Sequence, residues 1–222
     1  MHDVLTGKRL IAFDLDGTLI DSVPDLAVAV ANALEEVGVR SPSEVLVRDW
    51  VGNGARVLVE RALGWALDAP PDEALLERAF EAFLHHYGQA PFDRTRLFEG
   101  AADTLAALEA AGFTLVLITN KPERFIAPIL EHFDLYRHFA LCLGGDTLAE
   151  KKPSPAPLLH AAGAFDLAPS RCVMVGDSRH DIEAGRAAGF ATVALPYGYN
   201  HGEPIEASRP DVCLERLSAL IE

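Results

Sequence analysis

A short apolar run that recurs between helical patterns constrains this chain more than any other feature. The runs are 9–13 (RLIAF), 113–118 (FTLVLI), 139–143 (FALCL), 172–175 (CVMV), 191–195 (ATVAL) and, more weakly, 212–214. Most span four to six residues and are largely apolar on both sides, the pattern of parallel strands buried on two faces. Between them the periodicity is helical. Residues 101–111 run to Gly112, 122–132 carry proline in the first turn, 155–162 run to Gly163, and 179–188 run to Gly189. Glycine suits the left-handed stop of a helix, and proline suits its first turn. The alternation predicts an α/β fold: a doubly wound, Rossmann-like parallel sheet with helices on both faces.

One interval breaks the rhythm. Residues 14–112 hold no strand-like run. Leu26, Val30, Leu34 and Val37 share one helical face, with Gly38 as a stop, and Leu76, Phe80, Phe83 and Tyr87 share another. Residues 45–50 and 56–63 read as shorter helices around the turn Gly52-Asn53-Gly54. The expectation is an inserted all-helical cap domain over 20–89, hinged at 19–22 and 90–97. It would sit on an α/β core built from 1–19 and 90–222. A length of 222 residues fits one core domain with a small insertion.

Charge removes some functions. Acids outnumber bases 33 to 19, a formal charge of −14, and no basic run offsets it. Such a surface repels nucleic acid and anionic membrane, and no segment approaches the ~18 apolar residues of a membrane helix. Residues 1–9 lack the apolar stretch of a signal peptide. Cys142, Cys172 and Cys213 form no CxxC pair, which argues against a disulfide framework or a structural zinc site and for a reducing cytoplasm.

Open parallel sheets bind ligands outside the carboxyl ends of their strands. The first strand is followed by Asp14-Leu15-Asp16-Gly17-Thr18 and the second by Thr119-Asn120. The third leads through a loop to Lys151-Lys152-Pro153, and the fourth to Gly176-Asp177-Ser178 and then Asp181. Carboxylates, a hydroxyl and an ammonium thus converge on one edge. Phosphoryl transfer to a carboxylate needs such a set: a nucleophile, a hard cation on oxygen ligands, donors for the phosphate oxygens and a proton donor for the leaving group. A calcium loop starting at Asp14 is rejected, because its sixth and twelfth places hold Leu19 and Asp25 rather than glycine and glutamate. Read alone, the segment could also be a turn in which aspartates merely cap the chain.

Taken together, Asp14-Leu15-Asp16-Gly17-Thr18, Thr119, Lys152 and Gly176-Asp177, in that order, resemble the phosphatases of the haloacid dehalogenase superfamily. Val51-Gly52-Asn53-Gly54-Ala55, Gly176-Asp177-Ser178-Arg179 and the segment 198–205 resemble the bacterial phosphoglycolate phosphatase branch. His180 departs from the asparagine expected there, and of the Lys151-Lys152 pair, Lys152 matches the family lysine while Lys151 is expected to be solvated. The resemblance implies that Asp14 attacks phosphorus, that Asp16 is the general acid and base, and that Thr119 and Lys152 hold the phosphate. It implies magnesium on Asp14, the Asp16 carbonyl and Asp177, with Asp181 behind them. Gly17, Asn120, Asn53 and Arg56 would contact the substrate, a small anionic phosphate ester such as 2-phosphoglycolate. Arg48 is the alternative to Arg56 for its carboxylate, since arginine pairs with carboxylates bidentately. Asp16 must hold a proton near neutrality, and desolvation under the closed cap is the expected means. Another superfamily phosphatase or a sugar phosphomutase is the near alternative, and Thr18 leans towards a phosphatase. A receiver-type phospho-acceptor domain is the distant alternative, although such domains run near half this length and lack a cap.

Overall fold

The computed structural model describes residues 1–222. Its strands are β1 (Leu10–Phe13), β2 (Ile20–Asp21), β3 (Arg96–Leu97), β4 (Thr114–Ile118), β5 (Leu141–Leu143), β6 (Cys172–Gly176), β7 (Ala191–Ala194) and β8 (Val212–Cys213). Its α-helices are α1 (Val23–Glu36), α2 (Glu44–Trp50), α3 (Ala55–Leu67), α4 (Glu73–Gln89), α5 (Ala101–Ala110), α6 (Ile126–His132), α7 (Ala156–Ala164) and α8 (Arg179–Ala188). Six strands form one parallel sheet in the order β5-β4-β1-β6-β7-β8. The chain therefore winds to one side of β1 and then to the other, which places the switch point of the sheet beside Asp14.

Alternation along the strands sorts the core into two faces. Ile11, Phe13, Leu115, Leu117, Val173 and Val175 point into one apolar cluster, which continues through Leu15 and Leu19 into Leu26, Leu58, Phe83 and Tyr87 of the helical segment. Leu10, Ala12, Val116, Ile118, Cys172 and Met174 point the other way, onto Leu158 and Ala162 of α7 and Ala184 of α8. Both faces are covered, so the strands read as unbroken apolar runs. No helix is long and apolar enough to cross a membrane.

Two expectations need correction. Residues 14–112 do contain strand: β2 and β3 pair antiparallel, Ile20 opposite Leu97 and Asp21 opposite Arg96. Two-residue strands carry no periodicity to detect. Helix α7 also runs through Gly163 rather than stopping there. Its end is closed by Asp166, left-handed at φ 54, with Leu167 N donating to the Ala162 carbonyl at 2.9 Å, and an aspartate tolerates that conformation better than most residues.

Helices α1 to α4 fill the interval between β2 and β3. The return from α4 is tied down by Asp25 of α1, which is buried. Its carboxylate accepts from Arg94 N at 3.0 Å, Thr95 N at 2.8 Å and Thr95 Oγ1 at 2.7 Å. Asp25→Ala strands those donors without an acceptor, a cost of roughly 2–4 kcal/mol. The thermal midpoint by circular dichroism should fall by on the order of 5–15 °C, and an unchanged midpoint would show that the tie contributes nothing.

Candidate active site

β1 delivers Asp14 one residue beyond its last paired position, and the Asp14 amide still donates to the Val175 carbonyl at 3.0 Å. That bond fixes the carboxylate between the ends of β1 and β6. Asp14 Oδ1 accepts from Leu15 N at 2.7 Å and lies 3.0 Å from Lys152 Nζ. The Lys152 ammonium also donates to the Ile118 carbonyl and to Asp181 Oδ1, each at 2.6 Å. Asp181 takes further bonds from Ser178 N and Oγ at 3.0 and 2.8 Å, so it orients Lys152 from behind. Asp177 accepts from Thr18 Oγ1 and Tyr199 N, both at 2.6 Å.

Asp14, Asp177 and Asp181 are all buried and offer carboxylate oxygens within 4.8 Å of one another. Gly17 is required by this packing: at φ 88 it occupies left-handed space, and a Cβ there would sit 2.1 Å from Asp177 Oδ2. Burial pushes the Asp14 carboxyl from its ordinary value near 3.8 to about 7. Asp181 and Asp16 add to the rise and Lys152 opposes it. Burial, with Asp181 and Asp14 nearby, also raises Asp177 well above the usual range. Burial alone would lower Lys152, but Asp14 and Asp181 outweigh it and the ammonium is held charged.

Asp16 is not held in apolar surroundings. Its carboxylate accepts from Ser22 Oγ at 2.5 Å and from Lys121 Nζ at 2.9 and 3.2 Å. Only its backbone carbonyl is left for a metal. Lys121 is buried, lies 4.7 Å from the Tyr87 ring centroid, and is raised because Asp16 and Tyr87 outweigh the cost of burial. The strand-end rule places it beside Thr119 and Asn120, but a loop lysine carries no sign in the sequence of where it points. Thr119 is buried at the end of β4. Asn120 Nδ2 bridges to the Gly52 carbonyl at 3.0 Å and the Lys152 carbonyl at 2.9 Å.

These groups floor a pocket shared by Asp14, Asp16, Thr119 and Lys121, with Leu26, Val51, Leu58, Phe83, Tyr87 and Phe125 as its apolar walls and roof. Three sequence expectations fail here. Arg56 does not reach the pocket: it pairs with Glu77 and Glu73 of α4, each at 2.6 Å, because the first turn of α3 faces the acidic start of α4. Asn53 turns its amide to His180, with Nδ2 2.7 Å from Nε2. Lys151 is half-buried rather than solvated and donates to the Asn53 carbonyl at 2.9 Å. Arg48, the alternative to Arg56, pairs with Asp21 at 3.3 Å and lines a neighbouring cleft with Tyr199 and His201.

The sequence matches the haloacid dehalogenase-like hydrolase family over residues 8–189. A phosphoglycolate phosphatase of Pseudomonas putida KT2440 is 48% identical over 218 residues, covering 97% of this chain and 79% of the relative. One from Colwellia psychrerythraea 34H is 44% identical, covering 98% and 97%. A crystal structure described as a predicted phosphoglycolate phosphatase from Haemophilus somnus 129PT superposes with a TM-score of 0.93 at 41% identity, covering 97% of each chain.

The Asp14 shift has a stability consequence. Between its ordinary value and about 7 the folded state binds a proton that the unfolded chain has released. Stability therefore falls as pH rises through that window, and the full penalty is present above it. Thermal midpoints of the protein in chelator should drop between pH 5 and pH 8. Asp14→Asn should flatten that slope and raise the midpoint at pH 8, with Asp177 supplying the slope that persists. A variant less stable than wild type at pH 8 would refute the assignment.

Proposed function

The chain belongs to the haloacid dehalogenase-like hydrolases and is a phosphatase, and we propose that it hydrolyses 2-phosphoglycolate to glycolate and phosphate through an aspartyl-phosphate at Asp14. The observation that carries this reading is the Asp14 carboxylate, which forms part of the pocket floor beside Asp16 and Thr119 and lies 3.0 Å from Lys152 Nζ.

Magnesium fits the donor set. Asp14, Asp177 and Asp181 are buried oxygen donors set against one ammonium, an excess of negative charge that a hard dication would balance. Asp14, Asp177 and the Asp16 carbonyl would hold it, while Asp181 stays committed to Lys152 and Ser178. When bound, magnesium keeps Asp14 ionised and offsets the charge that gathers as carboxylate and phosphate approach.

Asp14 attacks phosphorus as the bond to the substrate oxygen breaks, and Asp16 gives the leaving alkoxide a proton. Asp16 then takes a proton from the water that cleaves the aspartyl-phosphate, which returns Asp14 and frees phosphate. Lys152 and the Thr119 hydroxyl hold the phosphate oxygens. The apolar roof excludes other water.

With Arg56 engaged elsewhere, Lys121 is the cation placed to meet the substrate carboxylate. A second anion on its ammonium loosens its hold on Asp16 and leaves Asp16 able to carry the proton it must deliver. Substrate recognition and acid catalysis would thus be linked through one lysine. Above the acidic floor the pocket offers few polar side chains besides Asn120 and Lys121 at its base, which suits a short acid better than a sugar. A net charge of −14 cannot draw an anion in, so attraction must be local. A small soluble substrate and three free thiols fit a reducing cytoplasm.

Asp14→Asn should fold and lose about three or more orders of magnitude in turnover; near-normal turnover would end the covalent mechanism. Lys121→Met should lose about ten- to a hundredfold more kcat/KM on phosphoglycolate than on p-nitrophenyl phosphate, the worth of one charge-assisted pair of about 1.5–3 kcal/mol. Equal losses on both esters would confine Lys121 to supporting Asp16.

A further inference from the structure

Away from the acidic centre, a second set of unsatisfied polar atoms lies where α8, the loop after β7 and the Gly52-Asn53-Gly54 turn meet. His180 Nε2 and His201 Nε2 are 3.3 Å apart, with ring centroids 5.4 Å apart and planes inclined at 74°. His201 Nδ1 lies 3.0 Å from the Asp49 carbonyl. A carbonyl only accepts, so that nitrogen carries the proton and His201 Nε2 presents a lone pair.

Neither tautomer satisfies His180, which is 6% exposed and whose Nδ1 is buried without a partner. With its proton on Nδ1, Nε2 accepts from the Asn53 amide at 2.7 Å, but the Nδ1 N–H has no acceptor and the two Nε2 lone pairs face each other. With its proton on Nε2, the Nδ1 lone pair is stranded and the N–H meets the Asn53 amide nitrogen at 2.7 Å. Turning that amide over brings Oδ1, itself buried without a partner, to the same place.

A cation between the two Nε2 lone pairs removes their repulsion, with the His180 proton on Nδ1, which stays without an acceptor. Two imidazoles on one tetrahedral zinc, each at about 2.0–2.1 Å, hold their nitrogens about 3.3–3.4 Å apart. The observed separation matches. A histidine whose other nitrogen donates to a carbonyl is also the usual orientation of a metal ligand.

We propose that His180 and His201, with the Asn53 amide oxygen turned towards them and water completing the shell, bind a divalent transition metal of the zinc class. Imidazole donors select such ions over magnesium, so the site is chemically distinct from the carboxylate cluster. Arg61, Arg179 and Lys152 oppose a dication here, while Asp181 and Glu203 favour it. The two histidines belong to the sheet-bearing part of the chain, whereas Asn53 and Asp49 belong to the helical segment. The ion ties the two together over the pocket and slows exchange of substrate and product.

The test uses the full chain in saturating magnesium, with zinc titrated against a chromophoric chelator and turnover followed in parallel. Wild type should take up one zinc per chain and be inhibited by it. His180→Asn and His201→Gln should each bind zinc at least about tenfold more weakly, since even partners behind a ligand are worth that much. Both should escape the inhibition while keeping their zinc-free turnover. Equal zinc affinity in all three proteins would put the ion on the acidic centre and overturn the proposal. So would a loss in only one variant, or no uptake by wild type, which would leave a pair that merely shares a proton. His201 lies on a partly exposed loop, so its variant serves as the control should the buried His180 variant unfold.

Discussion

Lys152 donates from one ammonium to the Ile118 carbonyl and the Asp181 carboxylate and lies in ion-pair contact with Asp14. It thereby joins the ends of β4 and β1 to the first turn of α8. A buried ammonium is tolerable only when its protons are all used and its charge is matched, and three acceptors on three elements meet that demand. The arrangement also over-supplies negative charge, because Asp177 adds a third carboxylate that Lys152 does not neutralise. The fold holds Asp14 in a place where its ionised form is unwelcome, and that stored tension is what a dication and a phosphoryl group can relieve.

The side-chain contacts that hold the overhanging turn are few and polar. Neighbouring residues on one loop diverge: Asn120 reaches up to the Gly52 carbonyl, while Lys121 turns inward to Asp16. Lys151 grips the Asn53 carbonyl. Each such bond contributes only about 0.5–1.5 kcal/mol net, because water can replace it. The apolar cluster running from Leu15 into Phe83 and Tyr87 holds the helices near the sheet without fixing the turn that overhangs the site.

Much of this was legible beforehand, for an identifiable reason. Strands buried on both faces must be apolar runs, so their ends were visible; Asp14, Thr119 and Asp177 follow them directly, and Lys152 lies one loop beyond the third. Arg56 was misplaced because a cation's own motif does not contain its partner, and Glu73 and Glu77 become neighbours only when α3 and α4 pack. Lys121 was passed over because its direction is set by Tyr87 and Asp16, distant in sequence. Gly163 misled because a glycine inside a helix costs only about 1 kcal/mol, and α7 absorbs it before Asp166 ends the helix. Asp16 was expected in a dry setting, and its pairing with Lys121 and Ser22 depends on side chains that no spacing rule connects.

The ribbon of β2 and β3 is the smaller of the two sheets, two residues on each strand. It brings the departure and return of the helical segment side by side. To the parallel sheet, everything between Asp21 and Arg96 is one closed excursion beginning and ending at a single point. Its length, helix count and lining can drift without displacing Asp14 or Thr119, as with domains inserted where termini are adjacent. The helical third of such a protein can therefore be exchanged as a cassette, with the strand-end residues inherited intact and the seam falling at those four residues.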